Sequence, residues 1–168
     1  MIFRNIEYSI FTNIIENSLQ QVEKNITVNR RARYDYAISQ TYEAGISLLG
    51  TEVKSLRQGK ANLVDCYATI RNGEVWLIGA HIGVYDHGNT SNHEPMRDRR
   101  LLLNKSEIKK MNRSVLEKGS TLVPLRMYFT NGRVKVEIAV AKGKKSYDKR
   151  DDIAKKDAKR DLDRSLKN

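Results

Sequence analysis

The side chains best suited to chemistry in this sequence are three histidines, His81, His87 and His93, with Asp86 and Glu94 close by. Imidazoles and carboxylates together could ligate a metal or move protons during phosphodiester cleavage. Their spacings match none of the usual ligand patterns, and His87 and His93 fall in a polar, turn-rich stretch. Ordinary surface histidines are therefore expected, with no metal and no other cofactor. No Ser-His-Asp order, phosphate-cradling glycine loop or paired acid–base carboxylates stands out either. The chain reads as something other than an enzyme.

The basic residues say more, because they gather at three places. "NRRARYDY" sets Arg30, Arg31 and Arg33 beside Tyr34 and Tyr36, and "EVKSLRQGKAN" adds Lys54, Arg57 and Lys60. The third is the tail from Lys142, "KGKKSYDKRDDIAKKDAKRDLDRSLKN", which supplies close to half of the chain's positive excess. Cations of this kind neutralise phosphates, and interleaved aromatics stack on unpaired bases at roughly 1–3 kcal/mol per base. A merely solvated charged surface is the bland alternative. RNA binding is the reading that the clustering favours.

Composition sets the frame around these residues. The chain has 168 residues with 31 Lys+Arg against 20 Asp+Glu, a formal net charge of +11. That length suits one domain with a real core, and the charge points to polyanionic partners. The lone cysteine, Cys66, excludes an internal disulfide framework and suits a reducing cytoplasm. No apolar run approaches the length of a membrane-spanning helix, so no membrane partner is expected. Nor is a small-molecule substrate.

The elements that must hold the basic clusters in place are mostly strands. "CYATIRNGEVWLIGAHI" and "TLVPLRMYFTNGRVKVEIAVA" each join two β-rich runs through Asn-Gly, at Asn72-Gly73 and Asn131-Gly132. That pair tolerates the positive φ of a two-residue type I′ turn. In the second hairpin Val134, Val136, Ile138 and Val140 form one apolar face, and Val123, Leu125, Met127 and Phe129 form the facing set. Pro124 implies an edge or a bulge. A further strand is expected in "RYDYAISQTYEAGISLLG", with Gly45 at a bend or bulge. A short helix carrying Val53 and Leu56 follows and ends near Gly59. A second helix begins at a capping box formed by Asn104 and Glu107, buries Ile108, Met111, Val115 and Leu116, and stops at Gly119. Residues 83–98 read as a loop. Antiparallel hairpins with flanking helices predict a small closed or nearly closed β-barrel.

Three regions result: an N-terminal extension over 1–28, an RNA-binding β-barrel over 29–141 and a basic tail over 142–168. The extension places Phe3, Ile6, Ile10 and Ile14 at helical spacing and reads as a lineage-specific addition or a misplaced start. In the tail, Ala154, Ala158, Leu162 and Leu166 make one thin apolar line amid charge. So little apolar surface cannot offset roughly 1–2 kcal/mol of backbone entropy per residue. A tail disordered in free solution and helical on a polyanionic surface is expected.

Four segments together resemble the SmpB family of SsrA-binding proteins: "NRRARYDY" (29–36), "YEAGISLLGTEVKSLRQGKANL" (42–63), "RDRRLLLN" (97–104) and "VAKGKKSYDKR" (140–150). The similarity runs from Asn29 to Asn168. It implies an oligonucleotide-binding-like barrel and no catalysis. It also implies binding to the tRNA-like domain of transfer-messenger RNA, delivery of that RNA to stalled ribosomes, and replacement of the missing anticodon arm in trans-translation. The partners implied are transfer-messenger RNA and the rRNA of the small ribosomal subunit. The alternative is a general single-strand RNA-binding barrel or RNA chaperone.

The resemblance places RNA contacts on Glu43, Leu102 and Asn104, with phosphate contacts on Lys54, Arg57 and Lys60. Asn104 is thereby asked to serve both a helix cap and an RNA. Contacts with the decoding centre and mRNA channel fall on Tyr34 and on Gly143, Lys144, Lys145, Tyr147, Asp148, Lys149 and Arg150. Many relatives carry histidine where this chain has Tyr147, and often where it has Tyr34. Tyrosine keeps a flat face for stacking and gives up a group that titrates near neutral pH.

Overall fold

Both Asn-Gly pairs turn the chain as their residue types require. Asn72 and Gly73 have φ of 53° and 75°, and Asn131 and Gly132 have 48° and 72°. Positive φ at both central residues is the demand of a type I′ turn, whose twist matches that of the strands it joins. These positions come from a computed structural model, which describes residues 23–88, 92–145, 147–148 and 164–165.

In chain order the elements are β1 (Lys24–Val28), α1 (Ala32–Asp35), β2 (Tyr36–Ile46), α2 (Gly50–Arg57), β3 (Ala61–Asn62), β4 (Tyr67–Arg71), β5 (Glu74–Ile78), β6 (His81–Ile82), β7 (Arg99–Leu102), α3 (Lys105–Lys118), β8 (Thr121–Thr130) and β9 (Arg133–Gly143). The main sheet is antiparallel in the order β1-β8-β4-β5-β7-β2-β9, and β8 also pairs with β9. Six strands thus form a ring, with β1 added along β8. The ring is thin in places: β4 meets β8 only at Ala68 and Leu122, and β2 meets β7 at two residue pairs. Inside it, Val75, Leu77, Ile82, Met111, Met127, Val136 and Ile138 are fully buried. Each contributes roughly 1.5–3 kcal/mol by leaving water.

The apolar set expected on β8 divides. A register shift between Pro124 and Arg126 places a bulge at Leu125, so inward alternation changes phase there. Leu122 and Met127 face the main core, with Phe129 against it. Val123 and Leu125 instead join Ala32, Ala139 and Ala141 in a second cluster, with Tyr36 and Ile38 packed against it. The bulge therefore creates the seat on which α1 rests, a helix that the sequence did not announce.

Other expectations shift by a residue or a face. The irregularity in β2 lies between Ile38 and Gln40, away from Gly45. Gly45 answers a different need: a Cβ there would lie 3.3 Å from Cβ of Leu102 on the paired strand. Leu116 is 75 % exposed, outside the buried stripe of α3 that Met111 anchors. The sheet also extends past both expected domain boundaries. Lys24–Val28 is a paired strand before Asn29, and β9 continues through Lys142 to Gly143. The expectations for residues 1–22, for Lys149 and Arg150 and for the helical line of the tail lie outside the described residues.

A buried ion cluster fastens α2 and the 92–98 segment to the ring. Glu52 and Arg99 are both fully buried. Oε1 of Glu52 accepts from Nε of Arg99 and Nε of Arg97, each at 2.8 Å, and Oε2 accepts from the Leu49 N–H at 2.6 Å. Arg99 spends its remaining donors on the carbonyls of Ala80, Arg97 and Pro95. Burial alone would raise the Glu52 carboxyl. The guanidinium of Arg97, the Leu49 amide and Arg99 outweigh it and hold the group below the ordinary carboxylate range.

Candidate nucleic-acid interface

Apart from the α2 group, the described residues expected to contact RNA or ribosome separate to the two ends of β2. At one end Gly45 pairs with Leu102 of β7, and at the other Tyr36 pairs with Gly143 of β9. Nine residue steps of strand span about 30 Å.

At the first end, Glu43, Leu102 and Asn104 are each exposed. Glu43 is held in place: Tyr128 donates its hydroxyl to Oε2, and Nζ of Lys135 donates to Oε1 at 2.9 Å. The Tyr128 hydrogen bond, reinforced by Lys135, keeps the Glu43 carboxyl below its usual range. Glu43 is thus an ionised acceptor near neutral pH. Leu102 sits half-exposed at a groove shared with Gly45, Leu48, Val53, Arg133 and Lys135. Asn104 is the N-cap of α3, and its backbone N–H donates to Oε2 of Glu107 at 3.0 Å. That arm of the capping box draws on the backbone of Asn104, so the helix begins at Lys105 with the Asn104 side chain exposed.

At the second end, α1 and the start of the tail touch. The Lys144 N–H donates to the Asp35 carbonyl at 2.9 Å, and its ammonium donates to the Arg33 carbonyl at 2.8 Å. Tyr34, between those two carbonyls, is 47 % exposed. The Lys145 N–H donates to Oδ2 of Asp148 at 3.1 Å, and Tyr147 beside it is exposed. Sequence positions more than 100 residues apart therefore form one surface. Asn29 anchors the base of α1: its amide donates to the carbonyls of Leu63 and Pro124, and its Oδ1 accepts from the Ala32 N–H at 3.1 Å.

The α2 group is less uniform. Arg57 is exposed, Lys54 lies 5.2 Å above the Tyr85 ring, and Lys60 contacts both oxygens of Asp86 at 2.7 Å. A phosphate at Lys60 would have to displace a carboxylate. The histidines do not converge, and no group able to hold a metal ion occurs among the described residues. His93 corrects its expectation as a surface histidine. It is buried, with Nε2 3.1 Å from the Ile82 carbonyl and Nδ1 3.0 Å from the Thr51 hydroxyl. A carbonyl can only accept, which puts the proton on Nε2. Cys66 is likewise buried, its thiol pushed up to about 12 by that burial, so it is no nucleophile.

A family model described as "SmpB protein" matches residues 26–168. The chain belongs to the SmpB family. An SsrA-binding protein of Acetivibrio thermocellus is 58% identical over 142 residues, covering 84% of this chain and 92% of that one. One from Desulforudis audaxviator is 56% identical over 148 residues, covering 88% and 97%. A solved chain described under "tmRNA-SmpB: a journey to the center of the bacterial ribosome" has 48% identity and a TM-score of 0.61, covering 71% of this chain and 85% of that one. The SmpB match begins inside β1, so the first 25 residues precede it.

The buried or partly buried polar residues that fasten the elements beneath this surface escaped sequence reasoning. Asn29, Glu52, His93, Arg97 and Arg99 are polar residues in polar stretches, with no periodic signal to mark them as buried. The one available hint was "RDRRLLLN", where a charged run leads directly into an apolar strand.

Proposed function

We propose that this chain binds the tRNA-like domain of transfer-messenger RNA and carries it to stalled ribosomes, where the protein replaces the anticodon arm. The supporting observation is the two-ended layout of β2. Glu43, Leu102 and Asn104 form the RNA end, offering an ionised acceptor, an apolar contact and an amide. A shaped RNA can satisfy such a set through bases and 2′-hydroxyls, which a purely basic surface cannot do. Tyr34, Gly143, Lys144, Lys145, Tyr147 and Asp148 form the ribosome end, meeting small-subunit rRNA, and Lys149 and Arg150, next in sequence, are assigned the same partner. Lys54 and Arg57 supply phosphate contacts beside the first end, and Lys60 does so on release from Asp86. The protein acts in the cytoplasm by binding and positioning, with no chemistry of its own. Among the described residues no helix is long and apolar enough to cross a membrane.

The test is competitive binding of the tRNA-like domain against a single-stranded oligonucleotide at near-physiological salt, with Asn104→Ala alongside. Preference for the shaped RNA that is lost in the variant is the expected result. Equal affinity for both RNAs, indifferent to Asn104, would mean a general single-strand RNA binder.

A further inference from the structure

At the RNA end, β7, the partner of β2, leads directly into α3, whose exposed side has no role in the surface described above. Leu102 closes β7, Asn104 caps the helix, and Lys105 is its first residue. Lys105, Lys109 and Arg113 then recur at four-residue spacing, all exposed, stacking along one side of the helix at about 6 Å intervals. Between α3 and the Asn72-Gly73 turn runs a groove of about 370 Å³. Ile70 and Ile108 give it apolar surface, Asn72 and Asn112 give it amides, and Lys105 and Lys109 give it two ammonium groups.

Arg113 pairs with Glu117 one turn on, but the helix gains nothing from Lys105 and Lys109. Like charges at i and i+4 repel, and that happens twice here, between Lys105 and Lys109 and between Lys109 and Arg113. Lys105 also stands in the first turn, where the helix dipole disfavours a cation and favours an anion. Three other lysines of the candidate surface are compensated: Lys60 by Asp86, Lys135 by Glu43, and Lys144 by the Arg33 carbonyl. Lys105 and Lys109 have no ion-pair partner among the described residues.

We infer that the RNA-binding surface continues from Leu102 and Asn104 across the first three turns of α3 to the Asn72-Gly73 turn, with Lys105 and Lys109 each holding a backbone phosphate of the tRNA-like RNA. This rests on the function proposed above. The occupant is the same RNA because the groove adjoins Asn104 and pairs cations with amides and a short apolar floor, a set suited to nucleotides. Phosphates also relieve the repulsion that the helix carries when free.

The experiment is a salt titration of full-length protein binding to the tRNA-like domain, comparing wild type with Lys105→Gln/Lys109→Gln, Lys105→Arg/Lys109→Arg, Lys118→Gln and Asn104→Ala. Glutamine is a good helix former, so α3 should persist in circular dichroism and melt no lower than in wild type. The glutamine pair should bind about tenfold more weakly, with a log–log salt slope shallower by about two. The arginine pair should restore both values, and Lys118→Gln, at the far end of the helix, should change neither. Wild-type affinity and slope in the glutamine pair, with Asn104→Ala still weakened, would overturn this inference and leave the proposed function standing. Normal RNA binding with loss confined to the ribosome-bound complex would also overturn it. If wild type itself shows no preference for the shaped RNA, the proposed function fails and this extension fails with it.

Discussion

The backbone N–H of Lys144 donates to the carbonyl oxygen of Asp35 at 2.9 Å, which ties the first residue after β9 to the last residue of α1. This bond holds the residue that follows the sheet against α1. It also joins Tyr34 and the tail into one surface, so an aromatic contact and a basic segment are presented together. The ammonium of Lys144 adds a second bond by reaching the Arg33 carbonyl near the C-terminal end of α1, where a cation is favoured. Lys144 therefore has a positioning role in addition to any charge it offers to rRNA.

Lys144→Pro removes the donor N–H and should free the tail from α1 while leaving the ring intact. Affinity for the tRNA-like domain should stay within about twofold of wild type, because that surface lies about 30 Å away along β2. Peptide tagging on stalled ribosomes should drop sharply. Lys144→Ala keeps the N–H and should fall between the two. A reconstituted tagging assay run beside RNA binding measures both effects.

The ion cluster around Glu52 should dominate acid stability. Its carboxyl titrates lower in the folded protein than in the unfolded chain, so its contribution is complete above the unfolded carboxylate pKa of about 4.3. That contribution is lost as pH falls through the still lower folded value. Urea unfolding followed from neutral pH down to about pH 3 should show this decline. Glu52→Gln leaves the Arg99 charge without its carboxylate in a buried site and should cost about 3–5 kcal/mol at neutral pH, with a flatter acid limb.

Much of the sheet was legible because its signals are local. Asn-Gly turns, alternation along β9 and the Met111 stripe each depend on residues a few positions apart. The phase change on β8 was half legible: Pro124 warned of a bulge, yet nothing in the sequence said that Val123 and Leu125 would pass to the cluster under α1. The convergence of Tyr34 with Lys144 could be read only by family resemblance, since the contact spans more than 100 residues. His93 was misjudged for a related reason. Its partners, the Thr51 hydroxyl and the Ile82 carbonyl, lie on other segments, and a polar loop gives no periodicity to reveal burial.

Gly45 offers a test of how closely β2 and β7 approach. In Gly45→Ala the new Cβ would sit 3.3 Å from Cβ of Leu102, an atom fixed to the backbone, so relief requires the strands to part. A loss of about 1 kcal/mol in chemical unfolding is expected. Pairing it with Leu102→Gly should recover most of that loss, giving a coupling energy well outside the error of additivity. Additive losses would mean that the two strands accommodate the methyl group without strain. Gly45→Ala should also weaken RNA binding, since it displaces Leu102 at the RNA end.

Tyr147 decides whether an aromatic face is sufficient at the ribosome end. Tyr147 is 60 % exposed, and the neighbouring Asp148 carboxylate is engaged by the Lys145 N–H, so the ring is open to a partner beside an anchored carboxylate. A flat ring stacks on a base whether it is phenol or imidazole, whereas only imidazole changes charge near neutral pH. Tyr147→His should therefore tag stalled ribosomes at close to the wild-type rate, and that rate should stay flat between about pH 6 and 8, as imidazole's titration near pH 6.5 would not be part of the step. Tyr147→Ala should lose at least tenfold, and Tyr147→Phe should retain most of the activity. A clear gain in Tyr147→His that disappears as pH rises would show that a protonated ring matters and that this chain works below the rate a histidine would allow.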